Sequence, residues 1–424
     1  MKVPRSPGAV EAEIAAFVAG DVTEEVSLVQ KLRNDFGISP ERQLRSFAPA
    51  RPDRFARLEL PGSRDRREPP RAFLSPDAPS SYRVLVGAFD TERAFWGAVM
   101  LDPEGNVAHQ WHFDGEVEGL NDIPDELKRL YGIAFLADGS AIFTMQEQGG
   151  ALFKVDACSR LIWTKPGLFH HTATATADGR MLWTFGGDQG DLHPTLIAVD
   201  PETGDTIRKI DMVDVERANP DILIFDLQRE AGVPHATHPN DIDPLPARLA
   251  AAFPRFDQGD LLLSYHTTNL VFVLDPETLE IKWWYVGAVD GQHDPDWQAD
   301  GTISVYNNNY RAARRGAPLT STIVSIDPRA HAHEVILEGS SHDFYSRTNG
   351  HHQLTEDGTA FVTSSTQGRV FEVDLSTGKK VFDFVNAYDW QDGRTLHMSE
   401  ALVVDEATAR NWLSQDCPVQ VANR

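Results

Sequence analysis

Cysteine is nearly absent from this chain of 424 residues, which contains only Cys158 and Cys417. Neither cysteine belongs to a CxxC motif, and the sequence identifies no pairing partner for either of them. We therefore expect neither a zinc cluster nor a disulfide framework. A reducing compartment fits this composition, and the cytoplasm is the predicted location.

Long apolar runs are missing as well. The N-terminal residues begin with basic side chains, but Glu11, Glu13 and Asp21 interrupt the apolar stretch that a secretory signal needs. The longest apolar stretches, such as GDLLLSY and NLVFVLD, are the size of a strand and fall short of the roughly 18 residues that span a bilayer. We expect a soluble protein without a membrane partner.

Positive charge is in deficit, because 39 Lys and Arg residues face 63 Asp and Glu residues and the net charge is −24. Such a chain repels nucleic acids and anionic membranes at long range. A phosphate-binding GxxxxGK[ST] loop is also missing, and the glycine-containing segment TFGGDQGD has no lysine. We therefore expect no nucleic-acid partner and no nucleotide or other cofactor.

The sequence does contain a repeat, which begins after Ser81. Units open with ADG turns at 137–139, 177–179 and 299–301 and an EDG turn at 356–358, and they close on hairpins that read VDACSRLIW, VDPETGDTI, LDPETLEIKWWYVG, IDPRAHAHEVI and VDLSTGKKVFDF. Turns at this spacing between apolar runs predict five nearly complete four-stranded units. An earlier unit (RVLVGAF, FWGAVMLD, NVAHQWHF) lacks a fourth strand, which the segment ALVVD at 401–405 supplies.

We predict an all-β fold, a six-bladed β-propeller with a short helical N-terminal extension. A strand from the far end of the chain would close the ring and leave only short, protected sheet edges. A double β-sandwich is the alternative. The predicted organisation is a helical segment at 1–36, an Arg/Pro-rich linker or wrapping arm at 37–81 that breaks helical and strand patterns, the propeller at 82–406, and a C-terminal tail at 407–424.

Several of the fifteen histidines stand just before the innermost strand of a unit, in FHHTATATADG, HPNDIDPL, GQHDPDWQADG and NGHHQLTEDG. Innermost strands surround the central channel of a propeller, so equivalent positions face one another. His171, His238 and His293 are predicted to converge there. Strand alternation lets only one of His351 and His352 face the channel, and we assign His351. For His109, His112, His331 and His333 we favour structural or surface roles.

Three of these stretches, together with a fourth that follows HPNDIDPL, resemble the arylsulfotransferase family. GQHDPDWQADGTISVYNNN is similar to its QHD, then DG, then DN pattern, and HPNDIDPL to its HxN strand. GDLLLSYHTTNLVFVLDPETLEIKWWYVG is similar to its SSRH-type strand and closing stretch, and FHHTATATADG to its HHD-type element. The similarity is strong over about 130–310 and loose over the rest of the propeller. It implies transfer of a sulfuryl group from a small-molecule aryl sulfate donor to a phenolic acceptor, through a histidine and without a nucleotide.

On this resemblance His293 is the nucleophile, and His171 and His238 bind the sulfuryl oxygens, one of them protonating the departing phenolate. Asn240 is expected to donate a hydrogen bond, and Asp294 to orient the His293 ring. The resemblance thus supplies a catalytic set of three histidines with two polar neighbours.

This chain departs from the family at SYHTTN, where Tyr265 stands in place of an arginine and His266 lies beside it. The loss of this cation would weaken anion binding, and Arg311, Arg314 and Arg315 are the candidate substitutes. The expected substrate-binding set consists of Asn240, Tyr265, His266, Asp294, Arg311 and His351.

Two other functions stay open. Three neutral imidazoles, His171, His238 and His293, could hold a zinc or iron ion with an open position for water, as in a metal-dependent hydrolase, lyase or oxygenase. The scaffold could also be a non-catalytic propeller that binds partners on its rim. The sequence leaves the oligomeric state open, with a homo-oligomer as one alternative.

Overall fold

The computed structural model describes residues 56–57, 71–90, 95–113, 129–146, 151–186, 195–225, 238–389, 394–415 and 417. The predicted N-terminal helical segment 1–36 lies outside them. Among the helices in these ranges, none combines the length and the apolarity that a bilayer crossing requires.

Strands dominate the described part of the chain. In chain order they are β1 (Ala56–Arg57), β2 (Arg71–Leu74), β3 (Tyr82–Asp90), β4 (Phe95–Leu101), β5 (Val107–His112), β6 (Arg129–Phe135), β7 (Ala141–Gln146), β8 (Ala151–Val155), β9 (Leu161–Pro166), β10 (Phe169–Ala175), β11 (Leu182–Gly186), β12 (Thr195–Val199), β13 (Thr206–Ile210), β14 (Pro239–Pro244), β15 (Leu261–Tyr265), β16 (Leu270–Leu274), β17 (Ile281–Val286), β18 (His293–Trp297), β19 (Ile303–Asn307), β20 (Thr322–Asp327), β21 (Ala332–Glu338), β22 (His351–Leu354), β23 (Thr359–Ser364), β24 (Arg369–Asp374), β25 (Lys379–Val385), β26 (Ala387–Asp389), β27 (Arg394–Thr395) and β28 (Met398–Val404). The described helices are short: α1 (Met212–Ala218), α2 (Ala247–Ala250), α3 (Gly339–His342) and α4 (Glu406–Leu413).

The strands form six blades, which confirms the predicted all-β propeller. Their orders are β28-β3-β4-β5, β6-β7-β8-β9, β10-β11-β12-β13, β14-β15-β16-β17, β18-β19-β20-β21 and β22-β23-β24-β25, the last extended outward by β2 and β1. Central strands such as β15 and β16 are buried along their whole length because both blade faces pack against neighbours. The innermost strands are left to surround the channel.

Ring closure follows the predicted route. Strand β28 pairs with β3 in antiparallel register, with Ala401 opposite Leu85. A buried ion pair joins the first blade to the last, with Arg83 Nη2 lying 2.7 Å from Glu372 Oε2 and both side chains 1% exposed. Strand β28 thus completes the first blade, and a charge pair joins that blade to the last one.

The Arg/Pro-rich segment 37–81 is not free of strands. Strand β2 pairs with the outer edge of β25, with Ala72 opposite Phe384, and β1 pairs with β2. The expectation that this segment breaks strand patterns is wrong at β2. Its prolines lie beside the strand and not within it, so the backbone donors that pair with β25 are kept.

The C-terminal residues are also more ordered than a tail. Helix α4 packs through Trp412, whose ring contacts Trp111 at 5.7 Å between centroids and whose Nε1 donates to the Leu136 carbonyl at 2.9 Å. Beyond it, Cys417 forms a disulfide with Cys158, 259 residues away in sequence. The expectation of unpaired cysteines is wrong, because folding brings together two residues whose spacing carries no signal.

The disulfide weighs against the predicted reducing compartment, because such bonds persist mainly in oxidising surroundings. The cytoplasmic location stays a prediction. Alkylation of free thiols in intact cells, followed by mass spectrometry of the Cys158 peptide, distinguishes the two environments.

Reduction of this disulfide is expected to lower the free energy of unfolding by about 2–5 kcal/mol, because it releases a long loop into the unfolded ensemble. The measurement is urea unfolding with and without a thiol reductant. The Cys158→Ser/Cys417→Ser variant is the control, since reductant should not change its midpoint. Equal midpoints for the oxidised and reduced wild type contradict the prediction.

Candidate active site

The innermost strands bend where they reach the channel. Strands β10, β14 and β18 each carry a register shift against the next strand near their first residues. Close to these bulges His171, His238 and Asp294 have φ angles of 63°, 44° and 56°. A non-glycine residue there costs about 1–3 kcal/mol and persists only where the surroundings enforce it. The bulges break the strand alternation and aim neighbouring side chains into the channel.

The predicted histidines do come together. His171 Nε2 lies 3.2 Å from His238 Nε2, and His170 Nδ1 lies 3.1 Å from His171 Nδ1. His266 continues the row, with its ring centre 5.3 Å from that of His238 and 5.4 Å from that of His293. Five imidazoles thus form a continuous arc, of which His170 was not singled out from the sequence.

Three rings of the arc, those of His171, His266 and His293, are neutral. Burial, reinforced by the neighbouring His238, lowers the pKa of His171 well below its usual value. Burial also lowers the pKa of His266 to about 2 and that of His293 to about 3, in spite of the hydrogen bond from His293 to Asn308. At neutral pH these side chains therefore present lone pairs and N–H groups and no positive charge.

Asn308 decides which nitrogen of His293 is nucleophilic. The Asn308 amide nitrogen donates to the carbonyls of Ser346 at 2.9 Å and Asn349 at 2.6 Å, so its Oδ1 must face the ring. His293 Nδ1 lies 2.8 Å from this oxygen and is therefore the protonated nitrogen. The lone pair is on Nε2, where it accepts a long hydrogen bond from the backbone amide of Asn349 at 3.3 Å. Asn308, which the sequence analysis missed, holds the ring and fixes its tautomer.

Replacement of Asn308 by alanine is expected to lower kcat about 10- to 100-fold with little change in KM, because the His293 ring loses its orientation and preferred tautomer. Steady-state kinetics with an aryl sulfate donor and a phenol test this. Asn106→Ala, in an exposed turn where the Asn106 side chain bonds only Asp102 among the described residues, is the matched control and should keep wild-type kcat. If KM changes and kcat does not, the positioning role is wrong.

Carboxylates line the channel together with the histidines. A cavity of about 270 Å³ is bounded by His171, His293 and His351 and also by Asp241, Asp243, Asp296 and Glu400. Burial raises the pKa of Asp243 to about 7 and that of Glu400 to about 7, and it raises those of Asp241 and Asp296 well above the usual value. Near neutral pH Asp243 and Glu400 are therefore divided between the protonated and the ionised form. The alternate spacing of the aspartates in HPNDIDPL and GQHDPDW places them on one strand face and could have indicated this wall.

The expected role of Asp294 needs correction. Its carboxylate does not contact the His293 ring beside it in sequence but reaches into the last blade, 2.9 Å from His351 Nδ1 and 2.8 Å from His352 Nδ1. The positive φ at Asp294 turns the side chain away from His293. His351 lines the cavity as expected, whereas His352 is buried behind it.

Tyr265 does not lie in the cavity and is corrected as a substrate-binding residue. Its side chain is fully buried and packs against Phe225 and Phe272, with ring centres 5.7 and 5.1 Å away. Strand β15 lies second in its blade, so Tyr265 points into the packing between blades. It cannot replace the arginine of the resemblance.

Arg311 and Arg315 are both engaged in ion pairs and do not replace the positive charge of the family's arginine. Arg311 Nη1 lies 3.0 Å and Arg315 Nη1 lies 2.6 Å from the carboxylate of the buried Asp290, so both cations serve this acid. Asn240 lines the cavity, but its Nδ2 donates to the Gln292 carbonyl at 2.6 Å, and its buried Oδ1 has no partner in the described part of the chain. The expected donation to a ligand is therefore already directed at the backbone.

Metal ligation by His171, His238 and His293 finds no support. Among the described residues, the group of three side chains whose possible ligand atoms all lie within 4.8 Å of one another consists of Asp294, Asp296 and His352, and it contains none of these three histidines. Both ring nitrogens of His352 already have partners, in Asp294 at 2.8 Å and in the Ser304 hydroxyl at 2.6 Å. We assign this group to a hydrogen-bond network that fixes Asp294.

Comparisons with known proteins identify one family. A family model described as Arylsulfotransferase (ASST) matches residues 132–387. No curated protein sequence matches the chain.

Solved structures that superpose on this chain have low sequence identity to it. A protein of unknown function from Bacteroides caccae is 13% identical with a TM-score of 0.49, covering 77% of this chain and 100% of its own. TolB from Acinetobacter baumannii is 10% identical with a TM-score of 0.49, covering 78% and 68%. The Cps50 (Swd1) β-propeller domain of Myceliophteria thermophila is 10% identical with a TM-score of 0.42, covering 73% and 88%.

Proposed function

The chain belongs to the arylsulfotransferase family, whose model spans residues 132–387, and from this premise we propose that it transfers a sulfuryl group between phenols through His293. The donor is a small-molecule aryl sulfate and the acceptor a second phenol. The observation that carries the proposal is the fixed tautomer of His293, because it leaves Nε2 of this cavity-lining side chain neutral and unprotonated.

The reaction consists of two displacements at sulfur. In the first, the Nε2 lone pair forms an N–S bond while the S–O bond to the donor phenol breaks and its electron pair leaves with the phenolate. In the second, the acceptor oxygen forms an S–O bond and the N–S electron pair returns to His293. Covalent catalysis of this kind divides one difficult displacement into two easier ones.

In the proposed reaction, N–H groups of the histidine arc donate hydrogen bonds to the sulfuryl group during its transfer. The sulfuryl oxygens gain negative charge in flight, and preorganised N–H groups in a site with little water stabilise that charge. His171 and His238 share one hydrogen bond between their Nε2 atoms, so turning either ring frees an N–H for a sulfuryl oxygen. These two side chains are the proposed sulfuryl-binding groups.

A covalent intermediate tests the proposal. Rapid mixing of the protein with excess 4-nitrophenyl sulfate, without an acceptor, should release one nitrophenolate per chain in a burst, and alkaline digestion followed by mass spectrometry should place SO₃ on the His293 peptide. His293→Ala should give no burst. His331→Ala is the matched control, because His331 lies on the outer face against Tyr285. Label on another residue, or an equal burst in His293→Ala, contradicts the proposal.

Chelation separates this function from the metal-dependent alternative. We expect EDTA to leave the burst and the turnover with phenol unchanged, because the proposed chemistry uses only imidazole, amide and carboxyl groups. The control is the same protein dialysed against buffer alone. Activity that EDTA removes and that a divalent metal restores would favour the metal-dependent enzyme.

A further inference from the structure

The proposed transfer also needs a general acid, because the departing phenolate takes up a proton. The sequence resemblance gives this step to His171 or His238. Burial lowers the pKa of His171 well below the usual value and that of the adjacent His266 to about 2. Rings that hold a proton so weakly are rarely in the acid form at neutral pH. His171 is therefore a poor source of this proton, and another residue of the cavity lining is a better one.

His351 lies at such a place. It begins β22 in the last blade, and it borders the same cavity as His293 with its side chain 25% exposed. Its Nδ1 is 2.9 Å from Asp294 Oδ1, and its Nε2 has no partner among the described residues. One nitrogen is therefore held by a carboxylate, while the other is free to meet a ligand.

Asp294 is fixed as the partner of His351. Its second oxygen accepts from the backbone amide of His352 at 2.5 Å and lies 2.8 Å from His352 Nδ1. The Ser304 hydroxyl in turn lies 2.6 Å from His352 Nε2. These contacts leave Asp294 Oδ1 to His351, in the arrangement of an acid–base histidine oriented by a carboxylate.

We propose that His351, oriented by Asp294, is the acid–base group of this site, and the proposal rests on the sulfuryl transfer through His293. In the first displacement the His351 Nε2–H gives its proton to the departing phenolate oxygen, and His351 becomes neutral. In the second displacement the acceptor phenol gives its O–H proton to Nε2 while its oxygen attacks sulfur. Each cycle returns His351 to its protonated form and His293 to its free form.

The charges around His351 agree with this role. Burial alone would lower its pKa, but the negative charge of Asp294, then that of Glu400, raises the pKa of His351 to about 10. A phenol has a similar pKa, with tyrosine near 10, and matched values favour proton transfer in both directions. The other titratable groups that face this ring are Asp241 on β14 and His293 on β18. The ring therefore enters the cycle carrying the positive charge that Tyr265 cannot supply.

A series of donors with different leaving groups tests the proposal. For His351→Gln we expect kcat/KM to fall about 10²- to 10⁴-fold with phenyl sulfate, whose phenolate needs the proton. With 4-nitrophenyl sulfate, whose phenolate leaves without help, the fall should be less than about 10-fold. His333→Gln is the matched control, because His333 bonds the Tyr285 hydroxyl on the outer side of a blade at 2.8 Å. Equal losses for all donors overturn the proposal.

A second measurement does not depend on that variant folding. In the wild type, nitrogen NMR of the histidine rings should show His351 losing its proton only well above pH 7, and Asp294→Asn should move the alkaline limb of kcat/KM for phenyl sulfate toward the ordinary histidine value. The limb falls as pH rises, because His351 acts in its protonated form below its pKa. A His351 that titrates below pH 7 overturns the proposal.

The experiments distinguish an error in the role of His351 from an error in the proposed sulfuryl transfer. If the wild type shows a His293-dependent burst and His351→Gln loses no selectivity among donors, only the role of His351 is wrong. If the wild type releases no phenol from any aryl sulfate, the sulfuryl transfer and the role of His351 are both overturned.

Discussion

Replacement of His293 by alanine is expected to lower kcat/KM for phenol-dependent transfer from 4-nitrophenyl sulfate by about 10⁴-fold or more, the scale seen when a covalent nucleophile is removed. The side chain is 6% exposed and forms a hydrogen bond to Asn308, so the variant loses the attacking atom and leaves the neighbouring arc in place. The measurement is nitrophenolate release at saturating phenol, with circular dichroism to verify folding.

Two control variants accompany the His293→Ala measurement. His331→Ala, on the outer face, should keep wild-type activity. His171→Ala should lose about 10²- to 10³-fold, the cost of one stabilising donor, and should still form the covalent intermediate. If His171→Ala and not His293→Ala abolishes the intermediate, the nucleophile has been assigned to the wrong ring.

Replacement of Arg83 by methionine is expected to lower the free energy of unfolding by about 3–5 kcal/mol, because it leaves Glu372 as an unpaired buried charge. Arg83 Nε and Nη2 both donate to Glu372 Oε2, at 2.9 and 2.7 Å, and Nη1 donates to the Ser81 carbonyl at 3.0 Å. The pair joins the first blade to the last, so its loss acts where the ring closes. Urea unfolding measures the change.

The double variant Arg83→Met/Glu372→Leu distinguishes the charge from the packing. Removing both partners leaves no unpaired carboxylate, so most of the lost stability should return. Arg410→Met is a surface control, because the Arg410–Glu406 pair on α4 is 72% and 64% exposed and should contribute about 1 kcal/mol or less. A loss below about 1 kcal/mol for Arg83→Met would show that the strand pairing alone closes the ring.

Local patterns of the sequence determined the architecture. The ADG turns, the DPETG-type hairpins and the apolar runs between them set the blades, because strand and turn preferences depend on neighbouring residues. The orphan ALVVD segment indicated ring closure, and β28 pairs with β3 as predicted. Histidine recurs before the innermost strands, and this pattern predicted that His171, His238 and His293 lie near one another. The reason is that repeats in a ring place equivalent positions around the same channel.

Only the tertiary structure determined the orientation of side chains and the contacts between residues that are distant in sequence. Asp294 was expected to serve the adjacent His293 and instead pairs with His351, 57 residues away, because a bulge with positive φ turns it. Cys158 and Cys417 meet across 259 residues, and Tyr265 turns into the packing between blades. Bulges, the packing between blades and the partners of distant residues depend on the assembled ring, so a local pattern can place a residue at the channel but cannot choose the atom it contacts.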